Sequence, residues 1–214
     1  MPFFVSGNAT RSVFISGKVR AVKQQTMPRQ RSVGRPRSTE VDARLIDAAL
    51  ELLRQGGPTA VTVEAVAARS GAAKTTIYRR YRDRDDLLRA AIGSAVTPPD
   101  QPPVEDIRGR LTWALGQVHA ILGEVLGRGG VAALLDDREP AFTTLVRGLL
   151  SLYTTALAGL IEDDTAAGRL RSDLDADAAV SLMLGSYLGE LLRHGTVGAD
   201  WIPRCVDLLW HAMT

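Results

Sequence analysis

The spacing of apolar residues is what most constrains the fold of this 214-residue chain. Leu45, Ile46, Ala49, Leu52 and Leu53 recur at intervals of three and four residues, which places them on one face of an α-helix. The second half of the chain continues this period and lacks the apolar-polar alternation and dense turn signals of β-sheets. The sequence therefore predicts an all-α fold.

Glycine and proline divide the apolar stripes into separate helices. We predict helices over residues 39–55, 63–70 and 73–81, a fourth after an Asp83 cap, and then 104–127, 131–137, 140–167, 176–194 and 200–213. Thr39 is expected to cap the first helix, and Gly129 with Gly130 to interrupt the second half. The run TPPDQPP (97–103) cannot continue a helix, because proline lacks the amide hydrogen. It marks a boundary between a smaller domain (39–97), in which three helices precede the one capped by Asp83, and a larger helical domain (98–214).

The two halves differ in charge. Residues 1–97 hold 17 Lys and Arg against 8 Asp and Glu, whereas residues 98–214 hold 9 against 16. A basic module suggests a polyanionic partner, although charge alone leaves nucleic acid, an acidic protein and a membrane surface open. The longest uncharged stretch (148–161) is too short to span a bilayer, and the single cysteine, Cys205, fits a reducing compartment. We therefore expect a cytoplasmic protein that does not bind a membrane.

The stretch KTTIYRRYRDRDDLLRAA (74–91) is dense in charge yet keeps a helical period. A solvated helix face, a catalytic cluster and a phosphate-binding surface are the three interpretations. Lys74 and Tyr78 are four residues apart and share one face, while Ile77 and Tyr81 point to the other side. The side chains beside the first pair belong to Thr75 and Arg79. An ammonium, hydroxyls, a phenol and a guanidinium on one face suit phosphates and base edges.

Two short helices that meet at Gly71, after a longer helix, predict a helix-turn-helix whose second helix enters the DNA major groove. Arg84 lies near the N-terminus of the next helix, where the helix dipole already attracts anions. The alternative is a helical hairpin with a solvated basic face.

Nine spaced residues in this region resemble the DNA-binding signature of the tetracycline-repressor (TetR) family: Thr62, Val66, Ala67, Gly71, Ile77, Tyr78, Tyr81, Arg84 and Leu87. The resemblance implies that Lys74, Thr75 and Tyr78 face the groove. It also implies a set of phosphate contacts, namely Thr62, Thr76, Arg79, Arg80 and Arg84. Family members are typically homodimeric repressors whose second domain binds a small ligand. This chain departs from the pattern at Ala73, where many members have a capping Ser, and at Arg84, where Lys is usual.

Upstream of this domain, residues 1–38 lack helical periodicity and are expected to be disordered. Arg35 and Arg37 flank Pro36 in an extended Gly-Arg-Pro-Arg core that resembles the AT-hook, a binder of A·T-rich minor grooves. We interpret them as a minor-groove arm, with a solubilising tail as the alternative. Translation starts at either Met1 or Met27, and the sequence leaves both open.

The second domain is expected to supply the dimer interface and an effector site. The last two predicted helices carry small and apolar residues suited to a four-helix bundle across a two-fold axis: Leu182, Gly185, Ser186, Gly189, Trp201, Leu209 and Trp210. The candidate ligand residues, with core packing as the alternative, are Trp113, His119, Phe142 and Tyr153. The sparse charge around Tyr153 favours an apolar or aromatic effector.

An enzyme is the rival from another class. The sequence contains no G-x-S-x-G, Walker A, H-E-x-x-H or dinucleotide fingerprint. Its three histidines lack metal-ligand spacing, so we expect no catalysis, metal or cofactor. A DNA-binding accessory or architectural regulator without an effector stays open as the second interpretation.

Overall fold

The computed structural model describes residues 36–96 and 106–214, and within these ranges it contains helices and no strand. The helices are α1 (Pro36–Gly56), α2 (Val63–Ser70), α3 (Lys74–Tyr78), α4 (Arg84–Ala95), α5 (Ile107–His119), α6 (Gly127–Asp136), α7 (Pro140–Ala166), α8 (Ala176–His194) and α9 (Trp201–Met213). A 3-10 turn (Pro58–Ala60) follows α1, and a π-helical segment (Ala120–Leu126) joins α5 to α6. The all-α prediction is confirmed. Met27, Arg35 and the predicted boundary at 97–103 lie outside the described residues.

The first four helices form a head around a small core. Helix α1 packs against α2 and α4, and Ile77 anchors α3 with only 1 % of its surface exposed. The Thr62 hydroxyl accepts a hydrogen bond from the Ala65 amide at 3.1 Å and so caps α2. Gly71 ends α2 in the left-handed conformation, and the Asp83 carboxylate caps α4 by accepting from the Asp86 amide at 2.7 Å.

Two helix bounds in the head differ from the prediction. Helix α1 begins at Pro36, so the predicted Thr39 cap is wrong and Arg37 has a helical rather than an extended backbone. Proline is favoured in a first turn, because the amide it lacks would have no partner there. Helix α3 ends at Tyr78 instead of residue 81, because the Arg80 amide donates to the Ile77 carbonyl, three residues back, and so departs from the four-residue pattern.

The remaining five helices form the body. Helix α5 packs against α8 and α9, and α7 packs against α8. The predicted interruption at Gly129 and Gly130 is wrong, because both residues lie inside α6. The chain changes direction earlier, at Gly127, whose φ of 59° is costly for other residues.

Head and body meet where the end of α1 lies against the start of α6. A Cβ atom on Gly129 would stand 2.7 Å from the Leu53 carbonyl oxygen and 2.9 Å from the Gly56 amide nitrogen. The Arg54 guanidinium donates to the Glu124 carbonyl in the same region. The glycine therefore permits backbone-to-backbone packing between the two parts.

Two helical stretches among the described residues, Ile107–Asp136 and Pro140–Ala166, are long and apolar enough to cross a membrane by length and composition alone. Core helices of soluble proteins meet the same criterion, so this is weak evidence for a membrane location. Both stretches supply buried residues to the core of the body, among them Leu115 and Val146.

Candidate nucleic-acid interface

The outer face of α3 presents the side chains that the sequence assigned to the groove. Lys74 and Thr75 are exposed, and Tyr78 is 58 % exposed although it is a large aromatic residue. Ile77 is buried in the head core, and Tyr81, which follows the end of α3, is half-buried. The phenol and the ammonium of this face are both accessible to a duplex.

A carboxylate on the preceding helix holds the Lys74 ammonium. Lys74 Nζ lies 2.6 Å from Glu64 Oε1, and both side chains are more than half exposed. The hydrogen bond between them lowers the pKa of Glu64 and raises the pKa of Lys74, so the pair is fully ionised at neutral pH. Lys74 therefore lies beside α2, paired with Glu64.

The predicted phosphate contacts surround this face. Arg79 is exposed and Thr76 is half-buried, while Arg80 forms an ion pair with Asp42 of α1. The Thr62 hydroxyl oxygen is engaged as the α2 cap, which leaves its hydrogen available to a phosphate oxygen.

The Arg84 side chain, a predicted phosphate contact, is paired with a carboxylate. Its Nη2 atom lies 2.6 Å from Oε2 of Glu139, a residue of the body that immediately precedes α7. The hydrogen bond to Glu139 raises the pKa of Arg84 further above its usual value. The cation that the sequence assigned to DNA is thus shared with the body of the same chain.

The start of α3 lacks the side-chain cap that α2 and α4 have. Ala73 occupies the N-cap position with an extended backbone (φ −66°, ψ 143°) and no side-chain hydrogen bond. Because this backbone is compatible with a capping residue, we expect Ala73→Ser to raise the free energy of unfolding by about 1 kcal/mol. Urea denaturation measures the difference. Ala68→Ser, an exposed change inside α2, is the control and should be slightly destabilising; equal effects of the two changes would contradict the capping argument.

The four candidate effector residues do not converge on one cavity. Trp113 lines a narrow, partly open and mainly apolar cavity of about 30 Å³ between α5, α7, α8 and α9, whereas Tyr153 lines a different and smaller one. Phe142 is 2 % exposed in the core. The His119 ring packs edge-on against Tyr187, with 5.9 Å between the ring centroids.

A charged group at the cavity beside Trp113, Asp164, was not predicted from the sequence. Asp164 is 3 % exposed and forms ion pairs with Arg110 and with Arg169, the latter at 2.5 Å. Asp164 and Arg110 both line the cavity. Asp164 follows Leu157 and Ile161 at helical spacing, and this continuation of the buried stripe is the signal that could have revealed it.

An apolar groove runs between α8 and α9 on the outside of the body. It is lined by Ser181, Leu182, Gly185, Ser186, Cys205, Leu208, Leu209 and Ala212. Leu182 and Leu208 are 66 % and 72 % exposed. Trp201, which the sequence placed on the dimer face, is instead 1 % exposed within the chain's own core. Trp210 is half-buried, with the Arg108 guanidinium 5.8 Å from its ring centroid.

Comparisons with known proteins agree with this geometry. The family model described as bacterial regulatory proteins, tetR family, matches residues 45–91, which cover most of the head. The HTH-type transcriptional regulator YdeS of Bacillus subtilis, itself uncharacterized, is 27 % identical over 188 residues, which span 84 % of this chain and 91 % of YdeS.

Solved structures share the arrangement of head and body. A transcriptional regulator from Saccharomonospora viridis in complex with choline superposes with a TM-score of 0.63, at 19 % identity over 82 % of this chain and 98 % of its own. FadR from Bacillus subtilis in complex with stearoyl-CoA superposes with a TM-score of 0.58, at 18 % identity over 78 % of this chain and 96 % of its own. At this level of identity the likeness establishes the fold alone.

Proposed function

Because this chain belongs to the TetR family of DNA-binding transcriptional regulators, we propose that it is a homodimeric repressor that binds a palindromic operator and is released by a small-molecule effector. The observation that carries the proposal is the face of α3. It exposes an ammonium, a hydroxyl and a phenol through Lys74, Thr75 and Tyr78, while Ile77 fixes the helix to the head. Such a helix can enter a major groove and contact base edges.

The proposed dimer forms through the groove between α8 and α9. Two large exposed leucines at one site cost solubility unless another surface covers them. A second copy supplies the same apolar groove, and two helices from each chain make a four-helix bundle. The two α3 helices then lie in successive major grooves, about 34–36 Å apart on one side of the duplex.

Leu208→Asp should break this dimer. A carboxylate in the covered groove would lose its hydration, so we expect monomers at micromolar concentration by analytical ultracentrifugation, with the helix content of the wild type. Leu152→Asp is the matched control, because Leu152 is 67 % exposed on α7, outside the groove. A Leu208→Asp protein that stays dimeric would exclude this face.

The proposed effector site is the apolar cavity next to Trp113. Its lining suits an apolar or aromatic molecule, and the Arg110–Asp164 pair offers charged groups to one polar end of it. Relatives of this fold hold ligands as different as choline and stearoyl-CoA, so the fold itself does not select the ligand. At about 30 Å³ the cavity holds little more than a water molecule, and an effector has to separate α5 from α7.

The same small volume favours a second candidate, a DNA-binding regulator without an effector. A thermal-shift screen followed by DNA release separates the two. Compounds that both stabilise the protein and free the DNA support a sensor, because such ligands bind the released state preferentially. If every stabilising compound leaves the DNA bound, the effector part of the proposal fails.

The operator part is tested by selection of bound duplexes from random DNA. We expect a palindrome whose half-sites are centred about one helical turn apart. Recovery of an asymmetric site would contradict the homodimer on DNA, and no enrichment over the starting pool would contradict sequence-specific binding. We place the protein in the cytoplasm, where its DNA target is accessible.

A further inference from the structure

An ion pair joins the DNA-binding head to the body across 55 residues of sequence. Arg84 is the first residue of α4, and Glu139 is the last residue before α7. Their Nη2 and Oε2 atoms are 2.6 Å apart, and both side chains are about two-thirds buried. A pair of this kind is more strongly oriented than a typical exposed salt bridge.

Carboxylates outnumber the cation at this position. Arg84 lies in an open recess lined by Asp83, Asp85 and Glu139, and its Nε atom is 3.2 Å from the Asp85 carboxylate. The recess therefore contains one positive and three negative side chains, two of which are ion-paired with Arg84. A DNA phosphate that approaches Arg84 meets repulsion from these carboxylates as well as attraction to the guanidinium.

The position of Glu139 is coupled through α7 to the cavity beside Trp113. Helix α7 starts directly after it, and the same helix lines the Trp113 cavity at its other end with Leu157, Ile161 and Asp164. A helix moves largely as a rigid rod, so a ligand that displaces α7 at the cavity also shifts the position of Glu139.

We propose that Glu139 competes with the DNA backbone for Arg84 and thereby sets the DNA affinity of the head. This inference rests on the proposed DNA-binding function. In the free protein the body holds Arg84, and on DNA the guanidinium transfers to a phosphate. A shift of α7 that tightens the Arg84–Glu139 pair weakens DNA binding, and one that loosens the pair strengthens it.

The test uses Glu139→Gln in the full-length protein, with fluorescence-labelled duplexes: the selected operator and a random-sequence duplex of equal length. We expect both to bind about three- to tenfold more tightly at about 0.1 M salt, because the amide competes weakly for Arg84. The salt dependence should steepen by about one counterion per protomer, since each head gains one phosphate contact.

Two further variants make the result specific to the pair. Glu162→Gln removes the same charge at the far end of α7, about 35 Å along the helix, which is several screening lengths away; it should leave DNA binding unchanged. In an Arg84→Ala background, Glu139→Gln should have no effect, because the competing cation is gone.

Each contrary outcome has a distinct meaning. If wild-type protein binds neither duplex, the proposed function itself fails. If wild-type protein binds but Glu139→Gln leaves the affinity unchanged, or still tightens binding without Arg84, the competition fails while the function stands. Weaker binding by Glu139→Gln would show that the pair positions the head for DNA, which is also contrary to the proposal.

Discussion

Gly129→Ala is expected to lower the free energy of unfolding by about 3 kcal/mol. The new methyl group would stand 2.7 Å from the Leu53 carbonyl oxygen and 2.9 Å from the Gly56 amide nitrogen. These are backbone atoms at the end of α1, so no rotation of a side chain can relieve the overlap. Either α6 shifts or the end of α1 is displaced, and each change disturbs the contact between head and body.

Thermal and urea denaturation measure this effect, and Gly148→Ala is the matched control. Gly148 lies in α7, and a Cβ atom built there meets nothing within 4 Å. Alanine is favoured over glycine in a helix by about 1 kcal/mol, so the control should be neutral or stabilising. If both changes had the same sign and size, the tight backbone contact at Gly129 would be refuted.

The same glycine illustrates where sequence reasoning failed. A glycine that ends a helix and one that lets two helices touch look alike along the chain. Gly129 was interpreted as a helix end, yet its partners Leu53 and Gly56 are more than 70 residues away in sequence. Local patterns contain no information about such a distant neighbour, whereas Gly71, which ends α2, was predicted correctly from its own surroundings.

In the candidate site, too, local features could be predicted from the sequence and contacts between distant residues could not. The two faces of α3 followed from four-residue spacing, because helix geometry alone sets which side chains share a face. The partners of the nearby cations Arg80 and Arg84 could not be predicted in this way. These partners, Asp42 and Glu139, lie 38 and 55 residues away in sequence. The sequence therefore predicted the cationic side chains of this region but not the carboxylates with which they are paired.

The effector residues were the least predictable part. Aromatic residues often line ligand pockets, but large apolar side chains serve equally well as core. Phe142 and Tyr153 are buried in the body, and of the four candidates, all of them described residues, only Trp113 lines the cavity of about 30 Å³. A buried charge such as Asp164 is the more informative signal, because its burial requires specific partners.

Tyr78→Ala should cause the largest loss of operator binding. A side chain that contacts a base or its methyl group contributes about 1–3 kcal/mol, and a dimer loses two such contacts. We therefore expect affinity for the selected operator to fall by at least about thirtyfold, while affinity for random DNA changes much less. Electrophoretic mobility shift or fluorescence anisotropy at fixed salt measures both.

Folding and assembly should not change in this variant. Tyr78 is 58 % exposed, and truncation of exposed side chains usually alters stability by less than about 0.5 kcal/mol. Circular dichroism and sedimentation are therefore expected to match the wild type. Wild-type operator affinity in Tyr78→Ala would contradict the assignment of this face to the groove.

Tyr78→Phe then identifies which part of the side chain makes the contact. The phenylalanine ring keeps the apolar surface that can pack against a thymine methyl group but cannot donate a hydrogen bond. Full retention of affinity indicates contact through the ring, whereas a loss of about tenfold indicates that the hydroxyl bonds to a base or phosphate. Because Lys74 is paired with Glu64 on the same face, a contact through the hydroxyl would let Tyr78 engage DNA without breaking an ion pair.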